Sequence, residues 1–126
     1  MNINTRLLRL ALLAGLVPGL AGAAQAGSNL LSPQRGVLCD TYFCAGKDEG
    51  VSEALTRKYL GEAAARQLMA QGAFDKTAFT FTNGVFCDLA TKRCLSNRYF
   101  DAQGNRSGKV RKTESRLLFG KTANVK

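Results

Sequence analysis

The chain has 126 residues, and its 18 lysines and arginines outnumber its 9 acidic residues, which gives a formal net charge of +9. It contains no histidine, so it cannot build the Ser-His-Asp or Cys-His arrangements of nucleophilic enzymes. We therefore expect a protein that is not an enzyme and that needs no cofactor.

The first 26 residues have the order of a secretory signal peptide. Two arginines precede an apolar stretch at 10–20, and the small residues of Ala24-Gln25-Ala26 follow it; export signals have this order of basic, apolar and cleavage regions. We predict cleavage before Gly27, near Ala26, with a cut after Ala23 or Ala24 as the alternative. The apolar stretch is about a dozen residues long and a membrane helix needs roughly 20, so we expect no transmembrane anchor.

Cleavage there leaves 27–126 as a single mature domain, close to the common domain size. This part of the chain holds all four cysteines, Cys39, Cys44, Cys87 and Cys94. An even number of cysteines in a small exported chain indicates disulfide bonds. The C-x4-C and C-x6-C spacings differ from the C-x2-C spacing that is common in zinc sites and disulfide oxidoreductases, so we expect neither a metal nor redox catalysis.

A short internal repeat suggests how the cysteines pair. Gly36-Val37-Leu38-Cys39-Asp40 matches Gly84-Val85-Phe86-Cys87-Asp88, and a second cysteine follows each copy. We predict two related units, at about 36–61 and 84–120. Chain entropy favours a crossed pairing, because a loop of some fifty residues contributes about 4 kcal/mol and a short loop about 2 kcal/mol. The repeat favours the local pairing Cys39–Cys44 and Cys87–Cys94, which we adopt.

Helices are predicted between Ser52 and Gln71, after a loose lead-in at 27–35. Ser52 can cap the first helix, Gly61 breaks the run, and Gly72 can end the second helix in the αL conformation. The residues of the second helix that we expect to face the core are Ala64, Ala65 and Leu68.

The second half of the chain is predicted to be mostly β-structure. Residues 78–82 alternate apolar and polar side chains, as a half-buried strand does, and Asn83-Gly84 predicts a hairpin. Strands at 85–87, 93–95 and 97–100 are expected to follow, and 120–126 is predicted to be a frayed tail. The aromatic residues expected to lie in the core are Tyr99, Phe100 and Phe119. The expected fold class is α+β: a small single domain of two related disulfide-braced β-hairpin units, with one or two helices around 53–71.

Four blocks along the chain together resemble one known family. They are Gly36 to Asp40, Leu55-Thr56 with Tyr59-Leu60-Gly61, Phe79 to Asp88, and Arg98-Tyr99-Phe100. In this order they are similar to the YcgJ-like family, small exported proteins of Gram-negative bacteria that are also named after a protein of the Fels prophage. The resemblance implies a periplasmic or secreted location. It implies no activity, ligand or site residue.

Positive charge is concentrated in the last third of the chain. From Lys92 onward there are ten basic residues against Asp101 and Glu114, whereas 27–91 holds six basic and seven acidic residues. Such a stretch attracts polyanions, and the expected partner is an anionic envelope component or an acidic protein. The residues predicted to bind it are Arg106, Lys109, Arg111 and Lys112. The alternative is a plain solvated surface on a structural or stress-related envelope protein without a defined ligand, and the sequence does not specify an oligomeric state.

Asp40 and Asp88 occupy equivalent positions in the repeat, each directly after a cysteine. A pair of carboxylates could serve as a general acid and base, but an aspartate in a hairpin turn more commonly accepts hydrogen bonds from nearby backbone N–H groups. We predict this turn role for both.

Overall fold

A computed structural model describes residues 29–126 of the chain. The predicted signal peptide at 1–26 and its cleavage site lie outside the described residues. Within 29–126, no helix combines the length and the apolar character that crossing a membrane requires.

Short strands and helices alternate along the described residues and form two sheets. The elements are β1 (Val37–Cys39), β2 (Cys44–Gly46), β3 (Gly50–Ser52), α1 (Glu53–Leu60), α2 (Glu62–Ala70), β4 (Ala78–Thr80), β5 (Phe86–Asp88), β6 (Arg93–Leu95), α3 (Lys112–Phe119) and a 3₁₀ helix (Gly120–Thr122). The strands make two three-stranded antiparallel sheets, β1-β2-β3 and β4-β5-β6. The α+β class and the two braced hairpins are thereby confirmed.

Each disulfide joins two cysteines that face each other across a hairpin. Cys39 pairs with Cys44 and Cys87 with Cys94, so the local pairing is confirmed. The strand register makes each pair direct neighbours, with Cα atoms 4.1 and 4.0 Å apart. Directly opposed residues of a non-hydrogen-bonded antiparallel pair lie about this close, so each disulfide requires only the strand pairing within its own hairpin.

The two hairpins have matching strand partners on both sides. On the side of the first cysteine, Leu31 bridges to Cys39 and Phe79 pairs with Cys87, each from eight positions earlier in the chain. On the other side, Ala45 pairs with Val51 and Leu95 with Val110. The lead-in is therefore not loose at Leu31, which exchanges two backbone hydrogen bonds of 2.8 Å with Cys39. Descent of the two units from one duplicated segment stays a prediction.

A buried hydroxyl fastens a helix to each hairpin. Thr56, the fourth residue of α1, accepts a hydrogen bond from the Cys44 N–H at 2.9 Å. Ser115, the fourth residue of α3, accepts one from the Cys94 N–H at 2.8 Å. Both side chains are fully buried. Because a buried backbone N–H would otherwise lack a partner inside the protein, these hydroxyls fix where each helix begins against its sheet.

The helix pair α1–α2 follows the predicted boundaries. The Ser52 side chain accepts a hydrogen bond from the Leu55 N–H at 3.0 Å, and Gly61 separates the helices at a φ of 100°. Gly72 takes a φ of 78° after α2, the αL conformation that ends many helices. Of the predicted core positions on α2, Ala65 and Leu68 are buried and Ala64 is half-buried.

Each sheet, with the chain that leads into it and the helix that packs on it, is one unit, wider than the repeat bounds predicted from the sequence. The two units share one hydrophobic core. Phe43 of the first hairpin stacks on Phe81 of the second sheet's hairpin at 5.0 Å between ring centroids, and Phe79 meets both rings edge-on. The Val51 N–H donates to the Lys76 carbonyl at 2.8 Å, beside Gly50. A Cβ on Gly50 would lie 1.8 Å from that carbonyl oxygen, so only glycine allows the backbones of the two units to meet there.

The end of the chain is held against the second unit, so the predicted frayed tail is wrong. After the 3₁₀ helix, Ala123 packs on the core. The Asn124 N–H donates to the Lys92 carbonyl at 2.7 Å, and the Arg93 guanidinium donates to the Lys126 carbonyl at 2.9 Å. The tail is ordered because the turn before β6 offers it hydrogen-bond partners.

Candidate anion-binding surface

Part of the basic C-terminal stretch lies directly against β6. The Leu95–Val110 bridge places the segment before α3 alongside this strand. The Arg111 N–H donates to the Cys94 carbonyl and the Ser96 N–H to the Lys109 carbonyl, both at 2.8 Å. The backbone at three of the predicted binding residues, Lys109, Arg111 and Lys112, is therefore brought next to the second hairpin.

Most of these charges face solvent without an acidic partner. The exposed basic residues are Lys92, Arg98, Arg106, Lys109, Arg111, Lys112, Arg116, Lys121 and Lys126, and Arg93 is half-buried. Of these ten, Arg111 alone forms an ion pair among the described residues: its Nε and Nη2 donate to the two Glu114 carboxylate oxygens at 3.1 and 3.0 Å. Hydrogen bonding to Glu114 and its charge raise the pKa of Arg111. The remaining cations are available to an anionic partner.

Arg106 has a structural role that the sequence did not reveal. The carbon at the centre of its guanidinium lies 3.9 Å from the ring centroid of Phe100 and 4.5 Å from that of Phe86. One guanidinium nitrogen also donates to the Arg98 carbonyl. Because Phe86 is a buried core residue, Arg106 covers part of the core as well as carrying charge.

A long connection between β6 and Val110 sets the second unit apart from the first. In the first unit, Lys47–Glu49 alone joins the paired strands β2 and β3. In the second unit, residues 96–109 fill the equivalent space between Leu95 and Val110. This segment, the insert hairpin, folds back on itself, with a bridge between Phe100 and Arg106 and a hydrogen bond from the Ser107 N–H to the Tyr99 carbonyl at 3.0 Å.

The insert hairpin corrects two predictions. Residues 97–100 do not form a strand of the sheet, because they pair only within their own loop. Tyr99 and Phe100 do not belong to the core and are each 60% exposed, whereas Phe119 is buried as expected. The polar stretch from Asp101 to Asn105 could have indicated this exposure in the sequence. A turn so soon after the aromatic pair makes the chain reverse before these rings can reach the core.

Both repeat aspartates have the predicted turn role. One carboxylate oxygen of Asp40 accepts hydrogen bonds from the N–H groups of Tyr42 and Phe43, at 2.7 and 2.9 Å. Its other oxygen accepts the Thr82 N–H of the second unit at 2.9 Å. Asp88 accepts the Ala90 N–H at 2.9 Å. Asp40 is 5% exposed and bonded through both oxygens, so its carboxylate is a structural link between the two units.

A groove of about 260 Å³ opens beside Asp40, between the two units. Its lining includes Asp40, Tyr42, Phe43, Leu68, Phe74 and Thr82. The lining is largely apolar side chains, and its one carboxylate, that of Asp40, already accepts three backbone hydrogen bonds. The groove is therefore secondary to the basic surface as a candidate site.

The two disulfides are buried, which suits a structural crosslink better than thiol–disulfide exchange. All four cysteines are at most 1% exposed, and a thiolate must reach a sulfur atom to exchange with a disulfide. In the part of the chain that the structure describes, no three histidine, cysteine, aspartate or glutamate residues come together as a set of metal ligands.

Comparison with known proteins gives one consistent result. The family model described as "YcgJ protein" matches residues 30–119. The "Uncharacterized protein YcgJ" of Escherichia coli (strain K12) is 49% identical over 100 residues, which cover 79% of this chain and 80% of that relative. No solved structure matches the chain.

Proposed function

Since the chain belongs to the YcgJ family and that membership brings no activity with it, we propose a function from the surface: a non-enzymatic binding module of the bacterial envelope. Its basic C-terminal segment, residues 92–126, binds an anionic partner. The observation that carries the proposal is the set of exposed cations in this segment, of which only Arg111 has an acidic partner among the described residues.

The placement of these charges costs stability, which supports a role in binding. Lys112, which has no acidic partner among the described residues, lies at the start of α3, where the positive end of the helix dipole repels cations. Lys112 and Arg116 lie one turn apart and repel each other. A chain that needed positive charge only for solubility could have spread it over both units, but 27–91 is close to neutral.

An envelope location is consistent with the covalent structure. Two disulfides are typical of proteins that mature outside the reducing cytoplasm, and all cysteines of the described residues are paired. The predicted signal peptide refines this to the periplasm or to secretion. The anionic surfaces in such a compartment include lipid headgroups, lipopolysaccharide and acidic proteins.

Retention on heparin tests the binding role. The variant Lys109→Ser/Lys112→Ser/Arg116→Ser/Lys121→Ser removes four exposed cations whose side chains form no ion pair among the described residues. We expect it to elute at a clearly lower salt concentration than the wild type, because each neutralised anion contact releases a counterion and steepens the salt dependence. The melting temperature should stay within a few degrees, since all four side chains are exposed.

A matched control separates local from total charge. The variant Arg35→Ser/Lys58→Ser/Arg66→Ser/Lys76→Ser removes the same number of exposed cations from the other part of the chain. It should elute close to the wild type. If the two quadruple variants shift equally, net charge alone governs retention and the C-terminal binding surface is refuted, which leaves the structural envelope protein without a defined ligand.

A further inference from the structure

The insert hairpin (residues 96–109) holds two aromatic side chains in solvent. Tyr99 and Phe100 are each 60% exposed, although large aromatic side chains contribute strongly to a core when buried. The first unit closes the equivalent strand pair through Lys47–Glu49 without such an extension. The fold therefore does not require these two rings, and their exposure calls for another explanation.

The exposure does not result from a poorly organised loop. The Asn97 side-chain oxygen accepts the Tyr99 N–H at 2.9 Å and the Ser107 hydroxyl at 3.2 Å. The Asp101 carboxylate accepts two backbone N–H groups across the turn. At the base, a Cβ on Gly108 would lie 2.7 Å from the Asn97 carbonyl oxygen, so the two arms of the hairpin are in close backbone contact. The rings are held in a defined arrangement before any partner binds.

An arginine accompanies each ring. The Arg98 guanidinium carbon lies 5.6 Å from the Tyr99 ring centroid, and that of Arg106 lies 3.9 Å from the Phe100 centroid. The Tyr99 hydroxyl forms no hydrogen bond with any of residues 29–126, so it is free to bond to a polar headgroup. Aromatic rings with a polar tip and arginines with an apolar stem are the side chains that suit the boundary between hydrocarbon and water.

The same geometry disfavours single-stranded nucleic acid as the partner. Bases stack on open aromatic faces, but the Arg106 guanidinium occupies one face of the Phe100 ring. An anionic bilayer needs no open ring face, because it accommodates the ring among its headgroups and attracts the neighbouring cations electrostatically.

We propose that the insert hairpin docks on the surface of an anionic phospholipid bilayer. Tyr99 and Phe100 enter the headgroup region, Arg98 and Arg106 contact lipid phosphates, and the cations beside β6 strengthen the attraction. This inference rests on the proposed function and narrows its anionic partner to a membrane surface.

Vesicle sedimentation tests the proposal. The oxidised mature protein is mixed with vesicles of phosphatidylglycerol and phosphatidylethanolamine, and separately with vesicles of phosphatidylcholine alone. We expect sedimentation with the anionic vesicles only, and the variant Tyr99→Ser/Phe100→Ser should bind them about tenfold more weakly, because the apolar area that enters the interface is lost. Tyr42→Ser removes an aromatic side chain that is equally exposed, at 60%, but lies outside the hairpin, and it should bind as the wild type does.

A fluorescent reporter gives a second measurement that does not depend on removing the rings. The chain contains no tryptophan, so Phe100→Trp introduces a single one at the hairpin. Its emission should shift to shorter wavelength when anionic vesicles are added and should not change with phosphatidylcholine. An unshifted emission, or a Tyr99→Ser/Phe100→Ser variant that sediments as well as the wild type, overturns the proposal.

Heparin distinguishes failure of this inference from failure of the proposed function. The Tyr99→Ser/Phe100→Ser variant keeps all the cations, so its elution from heparin should match that of the wild type. If the wild type is retained on heparin but ignores anionic vesicles, the membrane inference is wrong and the anionic partner is a soluble polyanion or a protein. If it is retained on neither, both are wrong.

Discussion

Asp40 and Asp88 occupy equivalent positions in the two hairpins but make different hydrogen bonds. Each follows the first cysteine of its hairpin and accepts a local backbone N–H. Only Asp40 also reaches the other unit, through the Thr82 N–H. The difference comes from the way the units dock. A turn of the second sheet lies against the first hairpin loop, so Asp40 meets the Thr82 N–H, whereas the hydrogen bond of the Asp88 carboxylate is local.

Replacing Asp40 should therefore cost much more stability than replacing Asp88. Asp40→Ala should lower the free energy of unfolding by about 3 kcal/mol, because it removes the charged acceptor of three hydrogen bonds, whereas Asp88→Ala should cost about 1 kcal/mol. Urea unfolding of both variants measures the difference. Equal losses would show that the Asp40–Thr82 link contributes nothing to holding the units together.

Thr56 and Ser115 form a second equivalent pair, and both are buried against a hairpin. Thr56→Val and Ser115→Ala should each destabilise the protein by about 2 kcal/mol, because the N–H of Cys44 or Cys94 would be left without a partner inside the protein. Thr113→Val is the control, since Thr113 lies exposed on α3 and its replacement should stay within about 0.5 kcal/mol. If Thr56→Val is as mild as this control, the hydroxyl is not what positions α1.

At the level of elements, local signals were sufficient wherever the contacts were local. The alternating residues at 78–82, the turn at Asn83-Gly84 and the spacing of each cysteine pair act over fewer than ten residues, and the hairpins formed where expected. The strand expected at 97–100 failed for the converse reason. Its residues have the composition of a strand, but no neighbouring strand lies within reach except the returning arm of the same loop.

Shortening the insert hairpin tests whether the second unit can fold without it. Replacing 96–109 by Gly-Lys-Asp-Glu-Gly, the sequence that joins Ala45 to Val51 in the first unit, should leave the fold and both disulfides intact. A shorter loop costs about 1 kcal/mol less to close, which offsets part of the loss of the Arg106 cover over Phe86. Peptide mapping and circular dichroism measure the outcome, and mispaired cysteines would show that the insert is needed for the second unit to form.

The charge state of the whole molecule should respond to pH in a simple way. Because histidine is absent, no side chain titrates at its ordinary pKa between about pH 5.5 and 8.5. The pKa of Glu62 is lowered, chiefly by its hydrogen bond to Arg57, and that of Asp75 by its hydrogen bonds to Thr77. A lowered folded-state pKa stabilises the protein above the ordinary carboxyl pKa, and that contribution is lost as the pH falls through the lowered value.

The urea midpoint should accordingly be flat from about pH 5.5 to 8.5 and fall below about pH 4. Arg57→Gln removes the ion-pair partner of Glu62. In this variant, the stability that the protein loses at low pH through protonation of Glu62 should be smaller. A midpoint that moves within the neutral range would contradict the prediction, because none of these groups changes its charge there.

The family, the α+β class, the pairing of the cysteines and the concentration of charge after Lys92 could all be predicted before the structure was known. Each of these depends on composition or on residues close together in the chain. Four features became known only from the folded chain: Asp40 links the units, Thr56 and Ser115 hold the helices, the tail docks beside β6, and Tyr99 and Phe100 stay in solvent. These outcomes depend on which distant segments become neighbours, and an aromatic residue or a hydroxyl carries no local sign of the partner it will meet.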